Sequence, residues 1–175
     1  MKNFITFLAG VLIFCFLCTT MAFPQTKAQT QKAEILLDHI IGAWNMSGQV
    51  ENKAVKYSFE AKRILHDKLV LMHMEDLAVP SPYEADVYIG YDTSRACYVT
   101  FWLDNFGVDS AVTVFGYGKA HRDTLVILFN FPNEPFRDTF TYDSINDAWR
   151  FLLEDGNPQG TWTTFADYKL TRKTH

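Results

Sequence analysis

The sequence predicts an all-β protein, an antiparallel up-and-down β-barrel of about ten strands preceded by one short N-terminal helix. Three observations lead there. After Gly42 the chain divides into short runs rich in β-branched and aromatic residues, separated by Asn, Asp, Gly and Pro. The connections between runs are hairpin-sized, so consecutive strands run antiparallel. A meander of this length exposes two sheet edges unless the sheet closes, and closure removes both.

The chain begins with Lys2, an apolar run from Phe4 to Cys18, and then Thr20-Met21-Ala22, which reads as a secretory signal peptide over residues 1–22. The run is shorter than the roughly twenty residues a membrane-spanning helix needs. A mature chain starting near Phe23 therefore has no membrane span and is expected to be secreted or periplasmic. Phe14 precedes Cys15 and Leu17 precedes Cys18, where lipid attachment would need a small residue. With those two cysteines removed only Cys97 remains, so no internal disulfide forms and stability must come from packing. Without Lys2, fifteen Lys and Arg stand against twenty Asp and Glu, a net charge near −5. That balance gives no reason to expect nucleic acid or an acidic lipid surface as a partner.

Residues 23–33 are polar, Gln- and Thr-rich and without period, a lead-in to a single domain over 34–173. From Glu34 to Ile41 the apolar residues Ile35, Leu36, Ile40 and Ile41 suit one face of a short helix that Gly42 ends. The strand runs come next, at Trp44 to Val50, Ala54 to Leu65, Lys68 to Leu77, Glu84 to Asp92, Arg95 to Asp104, Asp109 to Ala120, Thr124 to Phe131, Phe136 to Tyr142, Ala148 to Glu154 and Thr161 to Thr171. The segments with Pro80, Pro82, Pro132 and Pro135 read as loops, because Pro brings no N–H to a ladder. Ten strands enclose more space than the eight that side chains alone fill, although a flattened barrel can still be solid.

Gly42-Ala43-Trp44, at the junction of helix and first strand, resembles the Gly-x-Trp element of the calycin superfamily, which includes lipocalins and fatty-acid-binding proteins. Together with Gly90-Tyr91-Asp92, Tyr98-Val99, Trp102, Asp104, Gly107 and the closing Tyr168 to Lys173, the chain is similar to a bacterial calycin-like family catalogued as a domain of unknown function. The likeness runs from about Leu36 to Lys173. It implies a barrel and a small-molecule pocket, and carries no agreed chemistry. It also implies a structural latch at one barrel end, with Arg172 covering the indole of Trp44, a cation–π contact of about 0.5–2 kcal/mol.

Alternate strand residues face opposite sides of a sheet. In Arg95 to Asp104 one face is Cys97, Val99, Phe101 and Leu103; the other is Tyr98, Thr100, Trp102 and Asp104. The second face has the composition of a pocket lining, rings with a few polar groups, and equally that of a half-exposed outer face. His73 alternates with Leu71 and Glu75 and reads as a hydrogen-bonded wall residue; His66 and His121 fall at turns. Arg150 is the better inward candidate among the strand arginines, as an anchor for a ligand head group, because the Arg137, Thr139, Thr141 face reads as outward.

The leading expectation is a barrel that binds a small, mostly hydrophobic ligand through Tyr57, His73, Tyr98, Trp102, Asp104 and Arg150. The alternative is a filled barrel that acts as an interaction protein and forms a homodimer through an outer face. An enzyme using Asp104 or His73 ranks last. No nucleophile elbow, phosphate loop or metal-ligand spacing is present in the sequence, so no catalytic residue, cofactor or metal is assigned.

Overall fold

The computed structural model describes residues 36–107, 115–131 and 134–174. The expected leader and lead-in lie outside these residues, as does the first half of the Asp109 to Ala120 run. From Gly42 onward the chain forms one closed antiparallel barrel of ten strands. They are β1 (Gly42–Val50), β2 (Lys53–Ile64), β3 (Leu69–Asp76), β4 (Glu84–Asp92), β5 (Cys97–Asp104), β6 (Gly116–His121), β7 (Thr124–Asn130), β8 (Pro135–Asp143), β9 (Ala148–Gly156) and β10 (Trp162–Arg172). Each pairs with its sequence neighbour, and β1 closes the ring on β10, from Trp44 opposite Arg172 to Val50 opposite Ala166. Closure pairs the first strand with the last, as the edge argument requires.

Turn chemistry sets the registers. Glu51 and Asn52 both take positive φ (46° and 67°) between paired Val50 and Lys53, the primed two-residue turn that matches strand twist. Asp92 and Asp143 each accept backbone N–H bonds from residues two and three further on, closing the β4–β5 and β8–β9 hairpins. Pro135, expected in a loop, is the first residue of β8, a strand position that tolerates its missing N–H.

Parity places one apolar set inside. Trp44 and Met46, Phe59 and Ala61, Val70 and Met72, Val87 and Ile89, Ile127, Phe151 and Leu170 are all buried in one core. The mixed face of β5 points inward: Tyr98 and Thr100 are buried and Trp102 and Asp104 half-buried, while Phe101 and Leu103 face out. Opposite Ile127, Gly118 lets β6 lie flat against the core, since a Cβ there would meet the Val126 carbonyl and the Ile127 side chain.

The helix is a single turn, Leu36–Asp38, with Leu36, Leu37 and Ile40 buried against Met72, Ile89, Leu125, Phe140 and Trp149. It stoppers one barrel end. At that end the Arg172 guanidinium carbon sits 3.8 Å from the Trp44 ring centroid. Arg172 also donates to the carbonyls of Ile41 (2.7 Å) and His39 (3.2 Å) and to the Asp147 carboxylate (2.9 and 3.0 Å). Gly42, at φ +121°, leaves the room this needs, because a Cβ would stand 2.8 Å from an Arg172 nitrogen.

Candidate functional site

The opposite end of the barrel is hollow. A cavity of about 950 Å³ opens where β1, β3, β5 and β7 finish, within the size range of small-molecule sites. Val55 (β2), Met74 (β3), Phe129 (β7), Phe136 (β8), Leu153 (β9) and Phe165 (β10) form its apolar wall. The Glu51-Asn52 turn, Lys53, Asp76 and Asp104 bring charge to its margin.

Within that wall lies a polar cluster. Tyr57 on β2 and Tyr168 on β10 meet edge to face, with ring centroids 5.8 Å apart. Tyr83, just before β4, packs against Tyr57 at 6.0 Å, and its hydroxyl accepts the Trp102 indole N–H at 3.2 Å. Burial raises the pKa of all three phenols, Tyr83 and Tyr168 most strongly, with Asp76 adding to Tyr57 and Asp104 to Tyr83. The hydroxyls are neutral throughout the physiological range, so they offer both donors and acceptors.

Asp138 completes the cluster from β8. It is fully buried, lines the cavity, and neither carboxyl oxygen has a hydrogen-bond partner among the described residues. Burial pushes its pKa well above the ordinary carboxylate range, which favours the neutral acid. β8 alternates Phe136, Asp138 and Phe140 inward, and the flanking strands set Ile127 and Leu153 across from the carboxyl. Thr100 Oγ1 is a second buried atom without a partner among the described residues, but it does not line the cavity.

Three sequence candidates, Tyr57, Trp102 and Asp104, come together in this cavity. Tyr98 is buried inside the barrel but does not line it, because its ring packs deeper, against Tyr91 at 5.2 Å. Two expectations of an inward position are corrected. His73 is opposite in parity to buried Met72 and Met74, so it points outward, with Nδ1 2.8 Å from Asp86 Oδ1 and Nε2 3.9 Å from Glu84. Arg150 likewise alternates with buried Trp149 and Phe151 and grips Asp167 on the outer surface, at 2.7 and 2.9 Å.

Asp138, Tyr83 and Tyr168 escaped the sequence reading as site residues. For Asp138 the signal was present: Arg137, Thr139 and Thr141 on the outward face leave Asp138 between phenylalanines on the inward one. For Tyr83 there was none, since it belongs to a loop and reaches the cavity only through the packing of the Pro82–Tyr83 segment. Among the described residues, no group of three His, Cys, Asp or Glu side chains converges to hold a metal ion.

No family model matches the sequence, and no curated protein matches it. Among solved structures the chain is similar to the crystal structure of Rv2717c from M. tuberculosis, with a TM-score of 0.54 over 81% of this chain and 98% of that one. Identity is 12%, so the likeness is one of fold.

Proposed function

We propose that the protein is a calycin-like binding barrel that holds a small, mostly hydrophobic molecule in the cavity at its open end, outside the cytoplasm after loss of its leader. The observation that carries this reading is the contrast in filling. A barrel that leaves about 10 Å³ around Ile40 and Trp149 at one end leaves about 950 Å³ at the other. Interiors normally pack to crystal density, so a void of this size lined by rings and a few polar groups has the character of a site. The Gly42-x-Trp44 element with Arg172 over the indole supports the calycin comparison.

Native mass spectrometry of the protein isolated from its own host tests the reading. A retained small molecule, lost when Val55→Trp fills the cavity, is the expected result; a bare chain that takes up no apolar probe would overturn it.

A second reading, self-association through the outside of β5 to β7, is favoured by the exposed apolar side chains Leu103, Phe115, Tyr117 and Val126 there. Sedimentation velocity across a hundredfold range of concentration distinguishes it: a constant monomer mass would exclude it.

A further inference from the structure

The cavity's chemistry narrows its ligand, and the inference rests on the reading of the cavity as a ligand site. We propose that the ligand is a lipophilic amine, its ammonium seated against Asp138 and its apolar body along the phenylalanine wall.

The first argument is the unpartnered carboxyl. A buried polar group without a hydrogen bond costs stability, and the strands on either side of Asp138 face it with apolar side chains. β7 offers Ile127 and Phe129 and β9 offers Leu153, with Asp155 next toward the opening. Retaining an acid there makes sense if something that enters the cavity completes it.

The second argument is the charge around it. From β2 and β10 come the phenols of Tyr57 and Tyr168, from the segment before β4 that of Tyr83, and from β3 and β5 the carboxylates of Asp76 and Asp104. Lys53 is the single basic side chain lining the cavity among the described residues, and it lies at the exposed strand start. A carboxylate ligand would meet three aspartates and no buried cation, so a fatty acid held by an inward arginine is excluded by the outward position of Arg150. An alcohol could pair with Asp138 but would gain nothing from Asp76 and Asp104. A cation gains from all three.

The third argument is the rings. Trp102, Tyr57, Tyr83 and Tyr168 surround the same volume, and aromatic faces attract ammonium groups as well as apolar chains. An alkylammonium, with a pKa close to that of lysine at about 10.4, enters charged. The neutral Asp138 then gives up its proton to solvent and becomes the carboxylate partner, so binding below the free acid's pKa releases one proton per ligand.

Calorimetry with decylamine, 1-decanol and decanoate, probes of one chain length, tests this in the full mature protein. In buffers of different ionisation enthalpy near neutral pH, decylamine should bind about tenfold or more tighter than decanol and release about one proton, while decanol releases none. Asp138→Asn should abolish the proton release and the amine's advantage over decanol, and a cooperative urea transition reports that the variant is folded. Should the variant fail to fold, the wild-type proton release decides alone. Equal binding of decanol and decylamine without proton release would overturn the amine and leave the binding barrel standing. Preference for decanoate would overturn it too. Failure of all three probes would remove the binding barrel itself.

Discussion

The two ends of the barrel are built by opposite rules. At the stoppered end the strong polar groups are matched: the Trp44 indole N–H donates to the Ile40 carbonyl at 2.7 Å, and Arg172 directs its donors to two carbonyls and Asp147. The remaining void there is about 10 Å³, no more than a single water's worth of space. At the open end the same strands leave about 950 Å³ and a buried carboxyl with no partner among the described residues. Residues at the first end hold the fold, and residues at the second can be changed at smaller cost because they pack against space. Stability and recognition are thereby separated along the barrel axis.

The largest effect expected from this comparison is at the stopper. Trp44→Ala removes a fully buried indole, its hydrogen bond and the surface under Arg172, and should cost about 3–5 kcal/mol in urea unfolding. A loss below about 1 kcal/mol would mean that the two ends are not differently built.

Next is Asp138→Leu, which should raise stability by about 1–3 kcal/mol at neutral pH by removing an unsatisfied buried group. The folded carboxyl titrates above its unfolded value of about 3.9. Between about pH 4 and the raised value, the folded chain holds a proton that the unfolded chain has released. The wild-type protein therefore keeps this contribution in full at low pH and loses up to about 1.4 kcal/mol per unit as pH rises. The Leu variant should show no such slope, and parallel pH profiles would contradict the buried, neutral acid.

The sequence made the fold legible for a plain reason: hairpin turns are local, and period-two alternation marks which residues point inward. Glu84–Asp92 and the start of β7 at Thr124 are read directly from that pattern. Parity also identified Trp102 and Asp104, but left open which face of β5 was inward, because both faces are apolar enough to be a core. His73 and Arg150 were misassigned for the same reason in reverse: on β3 and β9 a polar side chain between apolar neighbours looks enclosed, while the register places it on the outside. Asp138 called for the parity of β8 to be followed to the inward side after the outward one had been recognised. Tyr83 needs three dimensions, since a loop residue has no period.

Smaller effects sharpen the contrast. Trp102→Ala should weaken binding of an apolar probe by about five- to thirtyfold, a loss of roughly 1–2 kcal/mol, with a much smaller loss of stability than Trp44→Ala. Equal losses of folding and binding would make Trp102 a packing residue only. Arg150→Ala, which breaks an exposed ion pair with Asp167, should change stability by less than about 1 kcal/mol and leave probe binding unaltered; a binding defect there would restore Arg150 as a ligand contact.

The most direct measurement is a titration of the mature protein with N-phenyl-1-naphthylamine, an uncharged dye that brightens in apolar surroundings, beside the cavity-filling variant Val55→Trp. Saturable uptake of one dye per chain by the wild type, and none by the folded variant, is what a hollow open end requires. Equal fluorescence from both proteins, or none from either, would mean that the cavity is not a place where molecules bind.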